Sequence, residues 1–254
     1  MKALALVLAC VALIAGSSAL AEEAQKNAQE QPKNEMKEYI VKKVDKPVDI
    51  SKGPEAEAWK MAAAMKIDVY PWFKEGKKQD TTVRLLYDAS AIYALFECDD
   101  AHIFSKTTEL NGPVCTDSCV EFFATINPEK GPGYFNFEAN CCGVFHLGWG
   151  PARADRKLIA PKLAERIRIA TSVPAPTKEE SADDKSWWLA AIIPFDVIAQ
   201  HSGEKVQPKA ATVWRANFYR CGGKTDQQFA VWNIVANPYP DFHRPEFFGT
   251  LKFE

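Results

Sequence analysis

The stretch Tyr134-Phe135-Asn136-Phe137-Glu138-Ala139-Asn140 constrains the fold more than any other. It alternates strictly. Side chains on a β-strand point to opposite faces in turn, so Phe135, Phe137 and Ala139 share one face, and Tyr134, Asn136, Glu138 and Asn140 share the other. The apolar face is built to enter a core. The second face is a row of amides with a carboxylate and one aromatic, the groups that hydrogen-bond hydroxyl-rich ligands. Trp214-Arg215-Ala216-Asn217-Phe218-Tyr219-Arg220 repeats the pattern, with Arg215, Asn217 and Tyr219 on one side and Ala216 and Phe218 on the other. The two polar rows are expected on one sheet, turned out to water as a shared binding surface.

The chain opens with Met1-Lys2, then an apolar run from Ala3 to Ala15, then Ala19-Leu20-Ala21. A positive start, a short apolar core and an A-x-A site form the pattern of a secretory signal peptide cleaved after Ala21. The run is too short to span a bilayer, and no later segment is apolar enough to do so. Cys10 lies too early in the leader for a lipoprotein site. Residues 22–37 are rich in Glu, Gln, Lys and Asn and read as a disordered spacer, leaving 38–254 as the folded domain. The expected location is secreted or periplasmic. A formal net charge of −2 argues against a nucleic-acid or anionic-membrane partner.

Cys98, Cys115, Cys119, Cys141, Cys142 and Cys221 lie beyond the leader. They show no C-x-x-C pairing, so disulfides or buried thiols are expected rather than a zinc finger. Successive side chains diverge on a strand, so at most one of Cys141 and Cys142 points inward.

From Thr81 onward short strands dominate. Val83–Tyr87 and Ile92–Glu97 read as a hairpin, Cys119–Ala124 as the neighbour of the opening strand, Trp187–Ile193 as a strand stopped by Pro194, and Phe247–Phe253 as the closing strand. Tyr39–Lys43 reads as the first strand, Glu55–Met65 as a short helix, Gly148-Trp149-Gly150-Pro151 as a loop, and Leu158–Glu165 as another short helix. Many short strands separated by turns predict an all-β fold, a two-sheet antiparallel sandwich of immunoglobulin or jelly-roll kind with a few short helices.

Several ordered motifs resemble family 9 carbohydrate-binding modules: Gly53 to Trp59, Val83 to Asp88, Asp117 to Phe123, Tyr134 to Asn140, Ile193-Pro194-Phe195, Trp214 to Gly222, Trp232, and Asp241 to Gly249. The likeness spans about residues 38–254 and is closest to stand-alone secreted proteins of the family 9-like kind. It implies a β sandwich that binds saccharides and works beside glycoside hydrolases in carbohydrate breakdown. In that family two tryptophans sandwich a sugar at a chain end, and calcium supports the fold.

The residues expected to bind an oligosaccharide or polysaccharide end are Asn136, Glu138, Asn140, Arg215, Asn217 and Tyr219, together with His243. Trp149 or Trp232 is expected as an aromatic lid, with Trp72 as a further loop candidate. A structural Glu138–Arg215 ion pair is the competing reading of the polar row. Asp99, Asp100, Asp117 and Glu121 are candidates for a structural calcium, although no EF-hand spacing is present. A second reading makes the protein a glycoside hydrolase or its accessory subunit, with Glu121 and Glu138 as the carboxylate pair. A third, haem binding as in related DOMON-type sandwiches, is disfavoured because Met36, Met61 and Met65 lie in no strand-end loop beside a histidine.

Overall fold

The computed structural model describes Met36–Glu254. The leader, Cys10, the cleavage site after Ala21 and the spacer up to residue 35 lie outside the described residues. Thirteen strands account for most of the fold: β1 (Glu38–Lys43), β2 (Met65–Lys66), β3 (Thr81–Tyr87), β4 (Ala91–Asp99), β5 (Cys119–Thr125), β6 (Tyr134–Asn140), β7 (Phe145–Ala152), β8 (Asp155–Leu158), β9 (Arg168–Thr171), β10 (Ser186–Pro194), β11 (Val213–Gly222), β12 (Gln228–Val231) and β13 (Gly249–Phe253). Two short helices, α1 (Pro161–Ala164) and α2 (Phe195–Ser202), complete it.

The first sheet runs β8-β7-β6-β5-β11-β13-β1, with β12 beside β11. The second runs β1-β3-β4-β10-β9, with β2 beside β3. Strand β1 serves both: Glu38 to Val41 pair with β13, and Lys42 and Lys43 pair with β3. Both of its pairings are parallel, which is the departure from a wholly antiparallel sandwich. The other ladders are antiparallel.

The sheets bury their apolar faces against each other. Phe122, Phe135, Phe137 and Phe218 of the first sheet meet Leu85, Phe96, Leu189 and Ile193 of the second. Phe122 stacks on Phe218 at 4.8 Å and meets Phe135 edge-on at 5.1 Å. Each such ring, fully buried, contributes about 1.5–3 kcal/mol relative to exposure. The helix expected over Glu55–Met65 is instead a pair of 3-10 turns, Ile50–Glu55 and Glu57–Met61, which lay Trp59 on the outer side of the second sheet.

The outer side of the first sheet is covered as well. The chain returning from β12 to β13 lays Val235, Phe242 and Phe248 over Phe123, Tyr134 and Tyr219, with Phe242 stacked on Tyr219 at 4.2 Å. This third layer decides what the polar row can do.

The expected loop at Gly148-Trp149-Gly150-Pro151 is part of β7, paired with both β6 and β8. The glycines that suggested a turn serve close approach instead. A Cβ on Gly150 would stand 1.9 Å from the Asp155 carbonyl oxygen, so only glycine lets β8 lie there.

All six cysteines within the described residues are thiols. Cys141 is in the core, and Cys142, half-buried, packs against the same core with Sγ 2.8 Å from Ser105 Oγ. The two lie in the turn after β6 rather than in the strand, and their side chains approach each other, so the expected divergence is not observed.

Candidate functional site

Antiparallel register sets four side chains in one row across the outer face of the first sheet. Tyr219 pairs with Glu121, Glu121 with Glu138, and Glu138 with His146. The third layer closes over Tyr219 but leaves the other three at the foot of an open cavity of about 730 Å³. Phe229 and Phe242 form its apolar wall. Arg153, from the turn between β7 and β8, and Arg156, in β8, form its cationic wall, and Arg153 is held by Asp241 at 3.1 Å.

The polar atoms around this cavity are incompletely satisfied. Asn136 Nδ2 donates to Glu138 Oε1 at 2.6 Å. Arg156 Nη1 stands 3.9 Å from the same oxygen, within ion-pair range but too far for a hydrogen bond. That nitrogen and His146 Nε2 are buried without a partner in the protein. The other ring nitrogen, His146 Nδ1, lies 3.2 Å from the Asn111 carbonyl oxygen. His243 shares a 2.8 Å hydrogen bond with the Tyr134 hydroxyl. Burial, and then Arg156 and Arg153, push its pKa down to about 3, so the ring is neutral at physiological pH. Burial, then Cys221 and Glu138, hold the Glu121 carboxyl well above the usual carboxylate range. An unpartnered buried donor on Arg156 and an unpartnered ring nitrogen on His146, beside a carboxylate and two aromatic rings, can receive a small ligand rich in hydroxyls.

The structure separates the residues expected to act together. Glu138 and His243 line the cavity, and Asn136 reaches it through Glu138. The expected water-accessible shelf is not formed, because the third layer seals the rest of the row. Asn140 is fully buried; its amide donates to the Thr107 carbonyl and to Asp117, and its oxygen accepts from the backbone of Cys142 and Val144. Asn217, also fully buried, brackets Asn233 by donating to its carbonyl and accepting from its N–H, each at 2.8 Å. Tyr219 donates to the Phe242 carbonyl. Arg215 donates to the Phe248 and Gly249 carbonyls, so the Glu138–Arg215 pair does not form and Arg156 stands by Glu138 in its place. Asn217, Tyr219 and Arg215 fasten the returning chain to the sheet, whereas Asn140 fastens the segment before β5 and the turn after β6.

Neither expected lid covers the cavity. Trp149 is the register partner of Phe135, on the opposite face of the sheet from His146, where it packs against the core. Trp232 is buried against Phe218 at 5.7 Å. Trp72 donates from Nε1 to the Asn237 carbonyl and lies in a separate cleft with Phe73 and Tyr239. The calcium candidates do not converge. Asp100 binds Ser118, Trp187 and Arg220, while Asp117 binds Thr107 and Asn140. Glu121 accepts from the Cys221 thiol.

His146, Arg153 and Arg156 were not among the expected site residues. His146 is recoverable once β7 is read as a strand, because alternation then puts it opposite Glu138. The arginines carry no such signal, since they sit in and just after a turn whose direction only the fold defines.

This chain belongs to carbohydrate-binding family 9: the model of that family matches residues 53–253. Its structure is similar to that of a proposed carbohydrate-binding protein from Bacteroides uniformis ATCC 8492, at 28% identity and a TM-score of 0.77, covering 86% of this chain and 100% of that one. A family 9 module from Caldicellulosiruptor kristjanssonii in complex with glucose shares the fold at 15% identity and a TM-score of 0.56, covering 86% of this chain and 96% of that one. The same is true of the module in complex with cellotriose, at 15% identity and 0.57, covering 86% and 94%. No curated protein matches the chain in sequence. No helix among the described residues is long and apolar enough to cross a membrane.

Proposed function

We propose that this protein binds a saccharide without covalent chemistry, and that the ligand enters the cavity between Glu138, Arg156 and Phe242. One observation carries the reading. Buried polar nitrogens of Arg156 and His146 lack partners and line an open cavity beside a carboxylate. A sugar hydroxyl placed between Arg156 and Glu138 would accept from one and donate to the other, closing the 3.9 Å gap. Phe229 and Phe242 supply the flat apolar surface that suits the C–H face of a pyranose. Family membership supports the ligand class, and the glucose and cellotriose complexes of a similarly folded module supply the first compounds to try.

The leader pattern supports action outside the cytoplasm, beside glycoside hydrolases that break down the same polysaccharide. The ligand is then an oligosaccharide or a polysaccharide end, because a cavity of this size admits one or two sugar rings rather than a flat polymer face.

The test is a panel of mono- and oligosaccharides, glucose and cellotriose among them, titrated into the purified protein while reducing-sugar release is followed. Saturable binding without turnover is the expected result. Because Glu121 and Glu138 face each other across adjacent strands, release of product would turn the reading to glycoside hydrolysis. Binding to no saccharide would remove it.

A further inference from the structure

One group at the foot of the cavity has no role in saccharide binding. Cys221 is the register partner of Cys119 across β11 and β5, and Glu121 stands two residues along β5 on the same face. All three are buried. One ligand atom from each, two sulfurs and a carboxylate oxygen, lie within 4.8 Å of one another. Among the described residues the Glu121 carboxyl has one hydrogen-bond partner, the Cys221 thiol at 3.0 Å, a weak donor. Arg153 and Arg156, which could have neutralised it, pair with Asp241 and Glu138 instead. A buried carboxyl with a single thiol as its partner is poorly satisfied, and a cation placed between it and the two sulfurs would satisfy it.

We infer that Cys119, Glu121 and Cys221 bind a thiophilic divalent cation of the zinc class. Two sulfurs and one oxygen suit such an ion and do not suit calcium or magnesium, which require oxygen ligands throughout. Tetrahedral zinc, with bonds of about 2.3 Å to sulfur and 2.0–2.2 Å to oxygen, brings its ligand atoms to roughly 3.3–3.8 Å from one another. Side chains held on adjacent paired strands reach that spacing by small rotamer adjustments. Binding sends the two thiol protons and the Glu121 carboxyl proton to solvent and changes no oxidation state. Three protein ligands leave a fourth position. It faces the cavity, because Glu121 and Cys221 both line it, and a water or a solute hydroxyl completes the shell.

The experiment needs no sugar, so its outcome is independent of the saccharide reading. Full-length protein, reduced and stripped of metal, is titrated with Co²⁺ and then Zn²⁺. The expected result is one equivalent of Co²⁺ with a near-ultraviolet thiolate-to-cobalt band that Zn²⁺ abolishes. Cys119→Ser and Cys221→Ser each remove the band and weaken binding at least 100-fold, while Cys142→Ser retains both. Bound Zn²⁺ in the unmutated protein also protects Cys119 and Cys221 from alkylation, which tests the site even where a variant fails to fold. Absence of stoichiometric uptake would overturn the inference. So would recovery of a Cys119–Cys221 disulfide from protein isolated without reductant, which opposed strand residues are close enough to form.

Discussion

Arg156 Nη1 lies 3.9 Å from Glu138 Oε1, and both side chains are largely buried, at 14% and 10% exposure. Two opposite charges held this close without a hydrogen bond leave a slot for a hydroxyl. Arg156→Met and Glu138→Gln are each expected to weaken saccharide affinity at least tenfold, about 1.4 kcal/mol. Isothermal titration measures the loss, and an unchanged circular dichroism spectrum shows that the fold persists.

Arg220 and Asp100 form a second pair, at 2.5 Å and with 1% and 2% exposure. Arg220→Met would leave the Asp100 carboxylate buried without its cation. The expected cost is about 3–5 kcal/mol, read as a lower urea midpoint. Adding Asp100→Asn to the same protein should recover part of that loss, because the uncompensated charge is then gone.

Trp149 packs against the core on the face of the first sheet opposite the cavity. Trp149→Ala is therefore expected to lower stability by about 3 kcal/mol and to leave saccharide affinity within twofold. A thermal melt and a titration on the same preparation separate the two effects.

Burial, and then Lys157, push the His201 pKa down to about 4. Its folded value thus lies below the unfolded value of about 6.5, and the unfolded chain takes up the proton first as pH falls. The neutral ring costs no stability above pH 6.5; from there stability declines until the folded ring itself titrates near 4. Between pH 7 and pH 5 wild type should lose about 2 kcal/mol more than His201→Leu. Urea unfolding of both proteins at the two pH values checks it.

The strand Tyr134–Asn140 was legible to the residue, because one face had to be apolar to enter the core. The fate of its other face was not. Amides that bind a ligand and amides that fasten a covering loop have the same composition and the same period. Only the chain laid over the sheet, with Val235, Phe242 and Phe248 above Asn217 and the segment of Thr107 and Asp117 beside Asn140, tells these two amides, whose hydrogen bonds are spent, from Glu138. The two parallel seams of β1 were equally hidden, since its short sequence carries no mark of its partners. Gly148 and Gly150 misled because a glycine that makes room for a neighbouring strand looks like one that makes a turn.

The central claim is that the ligand sits in the cavity between Glu138, Arg156 and Phe242. A crystal structure with the tightest-binding saccharide of the panel tests it most directly. The account predicts a sugar ring against Phe242 with one hydroxyl between Glu138 and Arg156. A sugar seated only in the cleft of Trp72, Phe73 and Tyr239, with this cavity holding solvent, would contradict it.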